Sequence, residues 1–150
     1  MSMSTEEIAN MLDSTGWSHD FSYQQLLMLS EYLQVYSIPA NTEIYHEGDV
    51  GDSMGVLIQG IAKVCKDDKI LTELRPGRTF GEMSLLDHQR RSASVITVTP
   101  SVFLSLDKTN FDKLSKERPA LALKIIVKVS CLLSQHVRRM SGQLCEFLDE

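Results

Sequence analysis

Phe80-Gly81-Glu82-Met83-Ser84-Leu85-Leu86, followed by Arg91-Ser92-Ala93-Ser94-Val95, places a glycine turn, a carboxylate and an arginine around one short apolar segment. These residue types suit a small anionic ligand that carries both a phosphate and a hydroxylated sugar. An arginine fork pairs bidentately with phosphate oxygens, whereas a carboxylate can only accept, as from a sugar hydroxyl. Gly81 lets the backbone approach a ligand closely and take dihedrals denied to other residues. A short helix opening at Glu82 would add backbone N–H donors and a positive dipole end. The competing reading of the same residues is a solvent-exposed turn with a charged rim.

The flanking sequence reads as helix, then strands, then helix. Thr5-Glu6-Glu7 followed by Ile8, Met11 and Leu12 predicts a short capped helix. Ser22 to Val35, with Leu26, Leu27, Leu29, Tyr32 and Leu33 among polar residues, predicts an amphipathic helix that Pro39 ends. From Thr42 to about Leu106 the chain is rich in Val, Ile and Thr and is punctuated by Gly48, Gly51, Gly60, Asp67-Asp68 and Pro76-Gly77. That pattern predicts many short strands with tight turns, a small β-barrel or sandwich. Val95–Thr99 and Ser101–Leu106 are the clearest strand pair, separated by Pro100. Thr109 to Ser115 predicts one or two helical turns with Phe111 and Leu114 inward.

Pro119 suits the first turn of a long helix, where its missing donor costs nothing. Beyond it Ile125, Val129, Leu132, Leu133, His136, Met140, Leu144 and Phe147 recur at three- and four-residue steps, close to a heptad seam. Gly142 weakens the last two turns by about 1 kcal/mol relative to alanine. The proximal part of this stripe suits packing within the chain, and the distal part suits pairing with a second copy.

The 150 residues suffice for one domain with a substantial core. Hydrophobic content of 43% and charged content of 23% are those of a soluble globular protein. A net charge of −5 argues against a nucleic-acid surface. Cys65, Cys131 and Cys145 are too widely spaced for metal pairs and read as reduced thiols in a cytoplasmic protein. His19, His46 and His88 share no metal spacing. The N-terminus, polar and acidic, is no secretory signal. Ala120 to Leu133, interrupted by Lys124 and Lys128, is too short to span a bilayer. No nucleophile–base–acid set is spaced for catalysis, so binding without turnover is expected.

The run Phe80 to Val95 resembles the phosphate-binding cassette of cyclic nucleotide-binding domains, as found in the catabolite activator protein and the regulatory subunits of cAMP-dependent protein kinase. Ile38–Thr42 and Glu47–Asp52 are similar to the opening strand and turn of the same family. Val56–Val64 resembles its paired strands with the internal glycine Gly60, and Leu74–Gly77 is similar to the turn before the cassette. Gly55 stands where many members carry an aromatic residue, which weakens that strand position. Arg90 stands where the kinase subunits often carry proline, which either loosens the loop or adds a second positive charge.

The resemblance implies an α+β fold: a jelly-roll-like, eight-stranded-type β-roll flanked by N-terminal helices and a long C-terminal helix. It implies an N-terminal helical segment over 1–37, the roll over 38–107 with the cassette at 80–95, and a hinge with lid or dimerisation helix over 108–150. Glu82 would accept from the ribose hydroxyl, Arg91 would pair with the cyclic phosphate, and Gly81, Met83, Ser84, Ser92 and Ala93 would line the sugar-phosphate. From Arg91 through Phe111 to Pro119 the spacing is similar to that of the cAMP-responsive catabolite activator protein, with no insertion. Extending it puts Ser134 to Val137 near the base, with His136 in contact, although histidine on such a face is usually a packed or half-exposed residue. The ligand would be cAMP or cGMP, with no cofactor and no metal. The expected role is a cytoplasmic, non-enzymatic sensor that signals to an unidentified protein effector, with homodimerisation through the C-terminal helix. With the sequence ending at Glu150, no DNA-binding domain and no membrane anchor are expected. The alternative is a degenerate fold that acts as a dimerisation scaffold without ligand.

Overall fold

The computed structural model describes residues 3–87 and 89–149. The chain divides into two compact units, residues 1–113 and 114–150.

In the first unit, helix α1 (Thr5–Asp13) starts where the Ser4 hydroxyl accepts from the Glu7 amide, as the Thr-Glu-Glu run predicts. Its Ile8, Ala9 and Leu12 are buried. A 3-10 turn at Trp17–His19 leads to α2 (Tyr23–Ser30), which opens with a capping box between Ser22 and Gln25. Trp17 and Phe21 stack at 5.4 Å, and Leu26 and Leu29 are buried. Helix α2 is shorter than predicted. It ends at Ser30, and Gln34–Ile38 form strand β1, so part of the segment expected to be helical is strand. The β-branched Val35 and Ile38 with Tyr36 fit the pleated edge of a sheet, where pairing with a distant strand overrides the run of leucines.

Seven further strands follow: β2 (Glu43–Tyr45), β3 (Ser53–Gln59), β4 (Ala62–Lys66), β5 (Lys69–Leu74), β6 (Thr79–Phe80), β7 (Ser94–Thr97) and β8 (Ser101–Asp107). They form two antiparallel four-stranded sheets, in the orders β1-β8-β3-β6 and β2-β7-β4-β5. This is the double-sheet roll expected. Two pairings differ. The strands either side of Gly60 do not pair with each other, because β3 belongs to the first sheet and β4 to the second. The same holds for β7 and β8 around Pro100. The two crossovers meet: the Ile61 carbonyl accepts from the Val98 amide at 2.8 Å, and the Ile61 amide donates to the Thr99 hydroxyl at 2.9 Å. Gly60 has φ +93° there and lies against Pro100 and Ser101, a corner that only a residue without Cβ fits.

The inward faces of both sheets supply one core. Leu57, Phe80 and Phe103 come from the first sheet, and Ala62, Leu74 and Val95 from the second, with Ile38, Ile44, Tyr45 and Val64 packed on them. Gly55 is explained by this core. It lies opposite Phe80 in the β3–β6 register, and a Cβ at Gly55 would strike the Phe80 ring. Gly55→Ala should overpack the core and cost about 1–3 kcal/mol of stability, read as a lower denaturant midpoint at unchanged slope. A midpoint equal to wild type would show that the ring moves aside freely.

Helix α3 (Ser84–Asp87) lies between β6 and β7, and α4 (Lys108–Glu117) follows β8, with Phe111 and Leu114 buried as predicted. In the second unit, α5 runs unbroken from Pro119 to Asp149, through Gly142. Leu121, Ala122, Ile125 and Val129 are buried, whereas Val137, Met140, Leu144 and Phe147 are exposed. The apolar stretch was expected to be too short to span a bilayer. The continuous helix revises this: residues 119–148 are long and apolar enough to do so by length and composition, with mean hydropathy 1.5 in an 18-residue window.

Candidate functional site

The site is assembled from three pieces of the first unit: the β2–β3 turn, the turn after β6, and the segment that leads into β7. Gly81 ends β6 with φ +72°, and a Cβ there would come within 2.6 Å of Arg91 Nη1 and 2.7 Å of Tyr45 Cε2. Any side chain at 81 would therefore displace the arginine. Helix α3 opens at Ser84 rather than at Glu82, and is only four residues long. Its dipole contributes little, because a macrodipole needs several aligned turns. The Ser84 and Leu85 amides are taken by the carbonyls of Gly81 and Glu82. Among the described residues, no backbone acceptor takes the amides of Glu82 and Met83.

The segment before β7 is laced to the β2–β3 turn. The Arg91 amide donates to the Asp49 carbonyl at 2.7 Å, the Gly48 amide to the Arg91 carbonyl at 2.9 Å, and the Glu47 amide to the Ser94 hydroxyl at 2.9 Å. Arg90 resolves the question its position raised. Its Nη1 donates to the Gly48 carbonyl at 2.9 Å, so it fastens the loop instead of loosening it.

Arg91 is 8% exposed, yet none of the ion pairs among the described residues includes it. Its Nη2 donates to the Ser53 carbonyl at 2.8 Å and the Ser53 hydroxyl at 3.3 Å. Its Nη1 donates to the Gly81 carbonyl and the Ser84 hydroxyl, both at 3.3 Å. Beneath it lies the Tyr45 ring, with the guanidinium carbon 3.5 Å from the ring centroid. Neutral oxygens and an aromatic face thus hold a buried cation whose charge no carboxylate cancels. Close by in sequence, Glu82 Oε2 is buried without a hydrogen-bond partner. A buried carboxylate oxygen left unpaired costs free energy that an incoming hydroxyl would recover. One positive centre and one unsatisfied acceptor within the same cassette suit a ligand with an anionic and a hydroxylated end.

The sequence-predicted residues divide as follows. Gly81, Ser84 and Arg91 come together, with Ser84 buried through bonds from its hydroxyl to the Gly81 and Ser53 carbonyls at 2.8 Å, and Glu82 follows Gly81 in the same turn. Met83 and Ser92 are exposed on the cassette and Ala93 is half-buried. His136 is exposed on α5 in the second unit. His88, one of the histidines weighed for metal spacing, lies outside the described residues. Sequence reasoning missed Tyr45 and Ser53. Neither lies in the cassette, and only the register of β2, β3 and β6 brings them under Arg91.

Burial raises the Tyr45 phenol above its ordinary 10.0, opposed by the Ser53 hydrogen bond and the charge of Arg91. The unfolded chain loses this proton near 10.0 while the folded chain retains it. Stability from this source is present below that value and is lost as pH rises through the higher folded value. Between about pH 9 and about pH 11, Tyr45→Phe should therefore lose less stability than wild type in paired denaturation curves. Equal losses would mean that the phenol titrates alike in both states.

The profile of the cyclic nucleotide-binding domain matches residues 35–118, more than half of the chain. A cyclic AMP receptor protein of Thermus thermophilus is 27% identical over 131 residues, covering 84% of this chain and 59% of that protein. A cyclic nucleotide-gated potassium channel of Mesorhizobium japonicum is 33% identical over 97 residues, 65% of this chain and 27% of the channel. The crystal structure of a cyclic nucleotide-binding domain from Methylobacillus flagellatus superposes with TM-score 0.82 at 28% identity, covering 93% of this chain and 81% of that one. The chain thus spans well under two thirds of these two curated relatives.

Proposed function

Because the chain belongs to the cyclic nucleotide-binding domain family, we propose that it binds cAMP or cGMP at Arg91 and acts as a regulatory module for a separate partner. The observation that carries this reading is the buried Arg91 guanidinium, which no ion pair among the described residues includes, in the same cassette as a Glu82 carboxylate oxygen without a hydrogen-bond partner. In this reading Arg91 meets the cyclic phosphate together with the Glu82 and Met83 amides, Glu82 accepts from the ribose hydroxyl, and Gly81, Ser84, Ser92 and Ala93 border the sugar-phosphate. His136, on α5, enters the same proposal through the sequence resemblance alone. The division into an N-terminal segment to 37, a ligand-carrying roll over 38–107 and a responsive segment over 108–150 belongs to the same proposal. So does a cytoplasmic location. Ligand shifts the population only by binding one arrangement of these segments better than another.

The family is a regulatory binding domain rather than a catalytic one, and the proposed role here is binding without turnover. Isothermal titration with cAMP and cGMP is the direct test, and saturable binding of at least one is expected. Absence of binding by either at millimolar concentration would leave the scaffold reading, which the exposed stripe on α5 favours.

Of the two ligands, cAMP is the proposed preference, because the spacing from Arg91 to Pro119 resembles that of the cAMP-responsive activator. Ser92, exposed at the rim, has a hydroxyl able to reach a guanine amino group. One such bond is worth about 0.5–1.5 kcal/mol, roughly tenfold at most. Competition binding should show cAMP at least as tight as cGMP, with Ser92→Ala lowering cGMP affinity alone. A cGMP preference above tenfold that Ser92→Ala abolishes would reverse this assignment.

A further inference from the structure

A guanidinium on a long flexible stem is useful to an anion only if something holds its plane. Around Arg91 that role falls on residues outside the cassette. Tyr45 faces the guanidinium at 3.5 Å from ring centroid to central carbon. Its hydroxyl lies 2.9 Å from the Ser53 hydroxyl and 3.3 Å from the Ser53 carbonyl, the same two oxygens that accept from Arg91 Nη2. The ring also packs on Phe80 at 5.5 Å, within the core shared by both sheets. The platform under Arg91 is therefore anchored at its edge by Ser53 and at its back by the core. Gly81 closes on both members, since a Cβ there would meet Arg91 Nη1 and Tyr45 Cε2.

We propose that Tyr45 is a positioning residue for the anion site: its ring, pinned by Ser53, fixes the plane in which Arg91 presents its N–H donors to a ligand phosphate. Face-on stacking uses the π surface of a guanidinium and leaves the in-plane donors for oxygens, which a lysine cannot reproduce. Among the described residues Arg91 Nε donates to no protein oxygen, so a donor in that plane is left for ligand. The inference rests on the nucleotide-binding reading above.

The test compares four variants by nucleotide titration and by the NMR shift of the Arg91 Nε proton. Tyr45→Phe keeps the ring and loses only the Ser53 contacts, so its affinity should stay within about threefold of wild type. Tyr45→Leu and Tyr45→Met keep an apolar side chain but remove the face, and affinity should fall about 10- to 30-fold. In an Arg91→Lys background, where the planar stack is already gone, Tyr45→Leu should cost less than about threefold. The Nε proton should be shifted upfield by the ring in wild type and Tyr45→Phe, and not in Tyr45→Leu. Equal losses in both backgrounds would make Tyr45 merely structural and overturn the inference. So would wild-type affinity in both Tyr45→Leu and Tyr45→Met, or no upfield shift in wild type. A wild type that shows the shift yet binds neither nucleotide overturns the nucleotide-binding reading and this inference with it.

Discussion

Arg91→Ala should weaken cyclic nucleotide binding by about 2–5 kcal/mol, because truncating one partner of a buried charge pair leaves the other desolvated and unpaired. Among the described residues no ion pair includes the guanidinium, so in the proposed complex the ligand phosphate is its counter-charge. Glu82→Ala should cost less, on the order of 1.5–3 kcal/mol, the range for a hydrogen bond to a charged group. The two losses should separate by ligand chemistry: a 2′-deoxy nucleotide should be insensitive to Glu82→Ala yet remain fully sensitive to Arg91→Ala. Titration calorimetry with the natural and deoxy ligands reads both, with unfolding curves confirming that each variant folds. Arg91 also donates to Ser53, Gly81 and Ser84, so some stability will be lost with it. Wild-type affinity in a folded Arg91→Ala protein would remove Arg91 from the site altogether.

Met140→Glu combined with Leu144→Glu should convert a dimer into folded monomers. Met140 is 54% exposed and Leu144 58%, and Val137 and Phe147 continue the same three- and four-residue steps at 60% and 70%. Such spacing is that of a seam, and a seam of exposed apolar residues on one helix is covered economically by the same seam of a second copy. Glutamates there would place like charges in the interface, where desolvation adds to their repulsion. Because both positions are exposed within the chain, the substitutions remove no internal packing, and the unfolding midpoint of the isolated chain should be nearly unchanged. Sedimentation equilibrium at several concentrations distinguishes the two states. Wild-type protein that sediments as a monomer with and without nucleotide would refute the dimer.

The cassette was legible because its parts are local. Gly81, Glu82, Ser84 and Arg91 lie within eleven residues, and their chemistry is a property of residue type: a fork for phosphate, an acceptor for a hydroxyl, a residue without Cβ at the turn. The helices α1, α4 and α5 were legible for a related reason. Their caps and apolar periods are written in neighbouring residues, and Pro119 marks the start of α5 by its missing amide alone. The roll itself was legible as a composition of β-branched runs and turns.

Other features required partners distant in sequence. Gln34 and Val35 read as the tail of a helix until β8, distant in sequence, pairs with them. The strands flanking Gly60 and Pro100 read as hairpins, since nothing local states that a chain changes sheets at a corner. Gly55 looked like a weakness because the ring that fills its place comes from Phe80. Arg90 could not be assigned a role before Gly48 was found as its acceptor.

The sequence by itself determined the family and the double-sheet class of fold, through a motif and a strand-and-turn pattern written at short spacing, and it singled out Arg91 and Glu82 as the pair proposed for the ligand. Only the tertiary structure decided that Arg91 is buried without a carboxylate, that Tyr45 and Ser53 hold it, and that one oxygen of Glu82 is left unpaired. Burial, stacking and hydrogen-bond satisfaction depend on which strands are brought side by side. Pairings between strands distant in sequence are selected by the shared core, which no local pattern encodes.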